Sequence, residues 1–308
     1  MPQSHTTYSV FMVPPQDFCF NEQTGQDNEF QNTSELTPSL VREDAMAEFN
    51  HMVNILRDNF IEVLVLGKSA DTPELPDAVF PNNWFSTNRQ GQLTLYPMKT
   101  ANRQAEVRPQ ELTQLAQSHG YLVKSNQDLT SRSKALEGTG SIIFDHKHSI
   151  AYAAISDRCD QQLFTDFCKK SSYQPIAFHT QSSSGKPFYH SNVMLSIGEA
   201  FAVVCSEAIA ETDRQKVLSQ LKVAHKQIID LTFEQTEKHF CANILQLRNS
   251  RGELIIVMSD SAYQGFSKAQ KELLKLHGKL VPCPINTIES IGGGSARCML
   301  AENFLPKQ

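Results

Sequence analysis

Four short segments carry residue types suited to covalent chemistry at carbon. Near the C-terminus, Gly292-Gly293-Gly294 runs into Ser295-Ala296-Arg297-Cys298. Glycines allow close approach of the backbone, and a thiolate beside Arg297 and free N–H groups would be a stabilised nucleophile. A cysteine taken alone is more often a small buried hydrophobe, and that role is assigned to the other six, which lack a glycine run. In Tyr189-His190-Ser191-Asn192 the histidine closes a polar loop and leads straight into VMLSIG. An imidazole there could protonate a leaving amine and then deprotonate a water. The remaining histidines, including His146 and His148 in a predicted hairpin turn, read as surface or capping groups. Leu136-Glu137-Gly138-Thr139-Gly140 places one carboxylate between apolar sequence and two glycines, suited to orienting a substrate N–H or assisting proton transfer; acids at strand starts are otherwise simply solvated. Phe80-Pro81-Asn82-Asn83-Trp84-Phe85 sets two amides beside the only tryptophan, either a turn or an amide recognition edge in an aromatic wall.

The elements that must position these segments alternate along the chain. Short β-type runs are predicted at 8–13, 61–66, 93–98, 141–145, 149–155, 193–198, 200–205, 244–249 and 254–259, several as hairpin pairs joined by DHKH, GE and SRGE. Helical patterns are predicted at 41–58, 109–119, 160–170, 211–220 and 266–277. A unit of two or three strands plus a helix therefore recurs about five times without visible identity between units. No linker interrupts it, so a single domain over 1–308 is expected. Segments 20–39 and 180–189 are polar and read as long loops, the first expected to pack near the site.

Composition narrows the classes of function. A formal charge of −5 and pI near 6.1 leave no basic footprint for nucleic acid or an anionic membrane, and a small-molecule partner fits better. Seven scattered cysteines without C-x-x-C argue against a disulfide framework or zinc ribbon and favour a reducing cytoplasm. The N-terminal MPQSHTTYSVFMVPP lacks the charged start and apolar run of an export signal, and no run approaches the roughly 18 apolar residues of a membrane span. A homo-oligomer is left open.

Together, in order, F-P-N-N-W-F, E-G-T-G, S-D-R, Y-H-S-N and G-G-G-S-A-R-C resemble the signature segments of the pentein, or guanidine-modifying, superfamily, which includes arginine deiminases, dimethylarginine dimethylaminohydrolases and amidinotransferases. The resemblance spans nearly the whole chain. It is strongest to amidinotransferase-like bacterial citrulline-utilisation hydrolases, in FPNNWFST, YHSNVM and GGGSARCMLAE. It implies an α/β fold, a five-bladed α/β propeller of strand-strand-helix-strand units. It places the nucleophile on Cys298, the acid/base on His190 and the catalytic carboxylate on Glu137. Substrate α-carboxylate recognition falls on Arg103 and Arg158, with Arg108 weaker. A planar arginine fork suits bidentate carboxylate binding.

The departures bear on substrate. Arginine deiminases resemble this chain but carry Asp at the positions of Asn83 and Asn192. Amides cannot neutralise a buried guanidinium, whereas they match a neutral ureido group, which presents one carbonyl and several N–H donors. The expected reaction is hydrolysis of citrulline to ornithine, ammonia and carbon dioxide through an S-carbamoyl-cysteine, with backbone N–H groups near the glycine run as oxyanion donors and no metal or organic cofactor. The alternatives are an arginine deiminase, a dimethylarginine dimethylaminohydrolase or an amidinotransferase, and, in another class, a non-catalytic binding protein on the same fold.

Overall fold

Five three-stranded mixed sheets, all built alike, make up the architecture of the computed structural model, which describes residues 5–68, 72–224 and 226–308. In chain order the strands are β1 (Ser9–Met12), β2 (Glu62–Val65), β3 (Phe85–Thr87), β4 (Gln92–Leu95), β5 (Ser125–Asp128), β6 (Ile143–Asp145), β7 (Ile150–Ala154) and β8 (Gln174–Phe178). They continue with β9 (Leu195–Ile197), β10 (Phe201–Val204), β11 (Gln227–Asp230), β12 (Leu245–Arg248), β13 (Leu254–Ser259), β14 (Lys279–Cys283) and β15 (Ala301–Glu302). Each sheet has an antiparallel pair followed, after a helix, by a strand added in parallel. The sheets are β3-β4-β5, β6-β7-β8, β9-β10-β11, β12-β13-β14 and β15-β1-β2. In the fifth, β15 pairs antiparallel with β1, so the C-terminal strand completes a sheet begun at the N-terminus. The pattern fits a five-bladed α/β propeller.

The helices form where expected because their apolar residues fall on one face. In Pro38–Asp58, Val41, Ala45, Phe49, Met52, Val53 and Leu56 are buried, and Pro38 occupies the first turn, where its missing N–H costs nothing. That helix begins three residues before the predicted 41. Ser267 and Gln270 form a capping box on Lys268–Lys275, a shorter helix than the predicted 266–277. Buried residues of adjacent sheets merge into shared apolar clusters, among them one running from β6 and β7 through β9–β11 to β13.

All nine predicted strands and the three predicted hairpins are present. The strands absent from the prediction, apart from β3 and β15, are β5, β8, β11 and β14, the parallel outer strand of four sheets. Each pairs on one side only, and their sequences are half polar: Ser125–Asp128 is mostly exposed, while Pro175 and Pro282 lie inside β8 and β14. Proline is tolerated at a sheet edge, where its missing donor faces no neighbour. Their strand identity comes from a long-range partner across a helix, which no local pattern encodes.

Before the first strand of each sheet the chain makes a short turn, at 81–83, 138–141, 191–193, 241–244 and 295–299. Consecutive turns are joined by hydrogen bonds. Thr139 Oγ1 donates to Asn82 O (3.2 Å), Ser191 Oγ to Ser141 O (2.6 Å), Asn243 Nδ2 to Asn192 O (2.9 Å) and Cys298 N–H to Asn243 Oδ1 (3.3 Å). The fifth turn lies beside the first, where a β-carbon added at Gly294 would sit 3.0 Å from the Phe80 ring.

Candidate active site

These turns bring the chemistry together. Cys298 is buried, and its Sγ lies 3.3 Å from Asn192 Nδ2 and 3.3 Å from Asn243 Nδ2. The orientation of Asn243 is determined by its partners: Oδ1 accepts the Cys298 N–H, so Nδ2 must face Asn192 O and the sulfur. Burial raises the Cys298 thiol above its ordinary value, outweighing the lowering by its hydrogen bonds to the Ser295 backbone, Asn243 and Asn192 and by the charge of Arg297. This corrects the expected thiolate beside Arg297. That guanidinium turns away, donating to Leu300 O (2.8 Å) and pairing with Glu302 (3.1 Å). Of the backbone N–H groups near the glycine run, that of Cys298 is bonded to Ser295 O and that of Gly293 to Glu289 O. The donors aimed at the reacting atom are side-chain amides.

His190 lies on the same cavity and donates or shares its Nε2 proton with Glu137 Oε2 at 2.7 Å. Burial would raise the Glu137 carboxyl, yet the Arg158 charge and the His190 hydrogen bond hold it down at about 2. An ionised Glu137 accepts only, so Nε2 carries the proton and Nδ1 is left as a base. Burial lowers the His190 pKa below its ordinary value despite Glu137, so the ring is neutral at pH 7. Glu137 also accepts the Lys99 N–H (2.9 Å), which fixes the carboxylate plane. The glycines flanking it are required sterically. Gly138 has φ +44°, and a β-carbon there would collide with Asn82 O; at Gly140 it would collide with Asn83 Nδ2 and lie 2.8 Å from the His190 ring.

Asn83, Arg103 and Arg158 line the cavity with Cys298 and His190. Arg103 is buried and forked onto Glu106 through Nε and Nη2 (both 2.9 Å), and its remaining N–H groups reach Asn83 Oδ1 (2.6 Å), Phe80 O (3.0 Å) and Asp77 O (3.4 Å). Its bidentate edge is therefore occupied by Glu106, which revises the expectation that it grips a substrate carboxylate. Arg158 pairs with Asp27, donates to Thr24 O (3.1 Å) and lies 3.7 Å from Glu137. Arg108 lies outside the cavity, bonded to Gly67 O and Glu111.

Segment 20–39 packs on the site, as expected. Asp27 bridges Arg158 and Lys99, Gln31 Nε2 donates to Gly292 O (3.1 Å), and Asn28 Nδ2 to Gly293 O (3.3 Å). Gly293, with φ +60°, makes room for this: a β-carbon there would lie 2.7 Å from Asn28 Nδ2. The glycine run thus admits the loop and Phe80, and Gly292 and Gly294 themselves line the cavity.

The buried atoms without a protein partner in this neighbourhood include Asn83 Nδ2, Asp77 Oδ1, Asn192 Oδ1 and both amide atoms of Asn82, and of these residues Asn83 and Asp77 line the cavity. Arg103 is a pure donor, so it holds Asn83 Oδ1 and leaves the amide nitrogen free. Asp77 and Asn243 were not singled out from sequence. Asn243 stands immediately before the predicted run 244–249, as Asn192 stands before 193–198, and that shared position was the available signal. Asp77 carries no such mark, and only the fold brings it to the cavity.

Comparison with known proteins follows the same lines. A family model described as "N,N dimethylarginine dimethylhydrolase, eukaryotic" matches residues 14–305. A search of curated proteins gave no match. Among solved structures, the N-terminal domain of ArgZ, an arginine dihydrolase from the ornithine-ammonia cycle in Cyanobacteria, bound to substrate, superposes with TM-score 0.72 at 16% identity, covering 96% of this chain and 97% of that one. AgrE with L-arginine gives TM-score 0.74 at 16% identity over 96% of this chain, which spans 40% of AgrE. A DDAH from Pseudomonas aeruginosa complexed with citrulline gives TM-score 0.63 at 12% identity, covering 97% of this chain and 99% of that one. At these identities the likeness is one of fold.

Proposed function

This chain belongs to the N,N dimethylarginine dimethylhydrolase family of the pentein guanidine-modifying superfamily, and on that premise we propose that it is a cysteine hydrolase of the C–N bond of a ureido amino acid, converting citrulline to ornithine, ammonia and carbon dioxide. One observation carries the choice of substrate. Among the amides lining the cavity, the unpartnered atom is a donor, Asn83 Nδ2. A ureido group presents a carbonyl oxygen to that donor. A guanidinium has no acceptor, so Asn83 Nδ2 would stay buried and unmatched, at about 1–3 kcal/mol.

In the proposed reaction neutral His190 takes the Cys298 thiol proton at Nδ1, and the sulfur attacks the ureido carbon. Asn192 and Asn243 hold the sulfur in place, and Asn83 Nδ2 donates to the oxygen as charge develops on it. His190 then returns the proton to the departing δ-nitrogen of ornithine, leaving an S-carbamoyl-cysteine. A water deprotonated by His190 releases carbamate and restores the thiol; carbamate decomposes to ammonia and carbon dioxide. Arg158, freed from Asp27, is the candidate partner for the substrate carboxylate. The reading takes residues 1–308 as one propeller domain. The free thiols of all seven cysteines suit a reducing compartment such as the cytoplasm. Among the described residues no helix is long and apolar enough to cross a membrane.

A second reading is favoured by Asp77, whose open Oδ1 lines the same cavity and would suit a cationic guanidino group, as in arginine or a methylarginine. The experiment separating the two incubates the protein with citrulline, arginine, methylarginines and agmatine and measures ammonia, urea, ornithine and citrulline together. Ornithine and ammonia from citrulline are expected. Citrulline formed from arginine or methylarginine, with citrulline itself untouched, would overturn the ureido assignment, and turnover only with an added amine acceptor would indicate an amidinotransferase.

A further inference from the structure

A second concavity shares no side chain with the catalytic cavity. It is a cleft of about 430 Å³ between the β3-β4-β5 and β6-β7-β8 sheets, within the range of small-molecule sites of roughly 300–1,000 Å³. One wall is an aromatic cluster centred on His146 and the rest of the lining is mostly polar. Phe144 and His146 stack at 5.2 Å and 14°, and Phe304 and Tyr173 meet His146 edge-on at 4.9 and 6.0 Å. At the rim stand Arg89, over the Phe304 ring at 5.2 Å, and Lys170; among the described residues neither pairs with a carboxylate. A cleft with one aromatic wall and two cations without a carboxylate partner at its mouth is complementary to a flat anion.

The floor connects the cleft to the reacting groups. Glu302 lines it and pairs with Arg297, the residue before Cys298. Thr139 also lines it, two residues from Glu137, and its hydroxyl holds Asn82 O. A molecule seated there would press on two of the five turns from behind.

We propose that this cleft is a second, regulatory binding site for a planar aromatic anion, with the ring against the wall formed by Phe144, His146, Tyr173 and Phe304, the anionic group at Arg89 and Lys170, and occupancy transmitted to Cys298 through Glu302 and Arg297. The site does not depend on which substrate the catalytic cavity takes.

The probe is 1-anilinonaphthalene-8-sulfonate, titrated fluorometrically into the full chain, with its neutral counterpart N-phenyl-1-naphthylamine as control. One sulfonate per chain is expected. Arg89→Glu combined with Lys170→Glu, both on the exposed rim, should weaken the sulfonate at least about tenfold and leave the neutral probe within about twofold. Sulfonate at saturation should change the rate of Cys298 alkylation by iodoacetamide at least about twofold in the parent and not in the rim variant. Binding unaffected by the charge reversal, or lost when Cys298 is carboxamidomethylated, would place the probe elsewhere and overturn the site. Binding as expected with an unchanged alkylation rate would overturn the regulatory half.

Discussion

The amide nitrogen of Asn243 lies 3.3 Å from the sulfur of Cys298, although the two residues sit in turns leading into different sheets and are 55 positions apart. The same amide accepts the Cys298 N–H through its oxygen, so one side chain holds both the backbone and the nucleophile of the fifth turn. Asn243→Ala should therefore lower kcat by roughly 10²-fold, the scale of a lost preorganised donor, with little change in KM. Steady-state kinetics check this. A kcat within twofold of the parent would show that Asn192 alone holds the sulfur.

Thiol chemistry should be slow at neutral pH. Because burial raises the Cys298 pKa and the fraction of thiolate sets the alkylation rate, inactivation by iodoacetamide should still be climbing at pH 9. A rate already level between pH 7 and 9 would mean a thiolate in the resting protein. Labelling confined to Cys298 and slowed by citrulline also separates an enzyme from a non-catalytic binder, in which several cysteines would label slowly and alike.

Glu137 links activity to acid stability. Its folded pKa of about 2 is depressed below the ordinary carboxylate value, so the stabilisation is fully present above about pH 4.3 and is lost as pH falls towards 2. The shift corresponds to about 3 kcal/mol, as an order of magnitude. Glu137→Gln should lower the urea midpoint at pH 7 and flatten its fall between pH 4 and 2. It should also lower kcat by about 10²–10⁴-fold, since a glutamine can turn its N–H to Nε2 and so no longer fixes the tautomer of His190. An acid profile parallel to that of the parent would contradict the assignment.

Gly140 tests the packing of the turns. Gly140→Ala puts a β-carbon into Asn83 Nδ2 and the His190 ring, both buried and held by other bonds. A loss of about 1–3 kcal/mol of stability and most of the activity is expected. Thermal melting and turnover measured together would reveal a harmless substitution at once.

Asp27 tests the loop. Its carboxylate holds Arg158 and Lys99, and burial is outweighed by those cations so that its pKa is lowered. Asp27→Ala should loosen segment 20–39 and speed Cys298 alkylation severalfold at constant pH. If the rate is unchanged, the loop does not control access.

What the sequence determined by itself was local. Apolar spacing marked nine strands and five helices, and glycine runs marked Cys298 and Glu137, because each depends on neighbours within a few residues. Motif resemblance added their order and the family. Only tertiary structure showed that Arg297 faces Glu302 rather than the thiol, that Glu106 occupies the Arg103 fork, and that Asn243 and Asp77 reach the site. It also decided that β5, β8, β11 and β14 are strands, since an edge strand with proline or polar residues is defined by its parallel partner. The direction of a long side chain and the partner of an edge strand are settled by contacts from distant parts of the chain, and those contacts exist only once the five turns have been brought together.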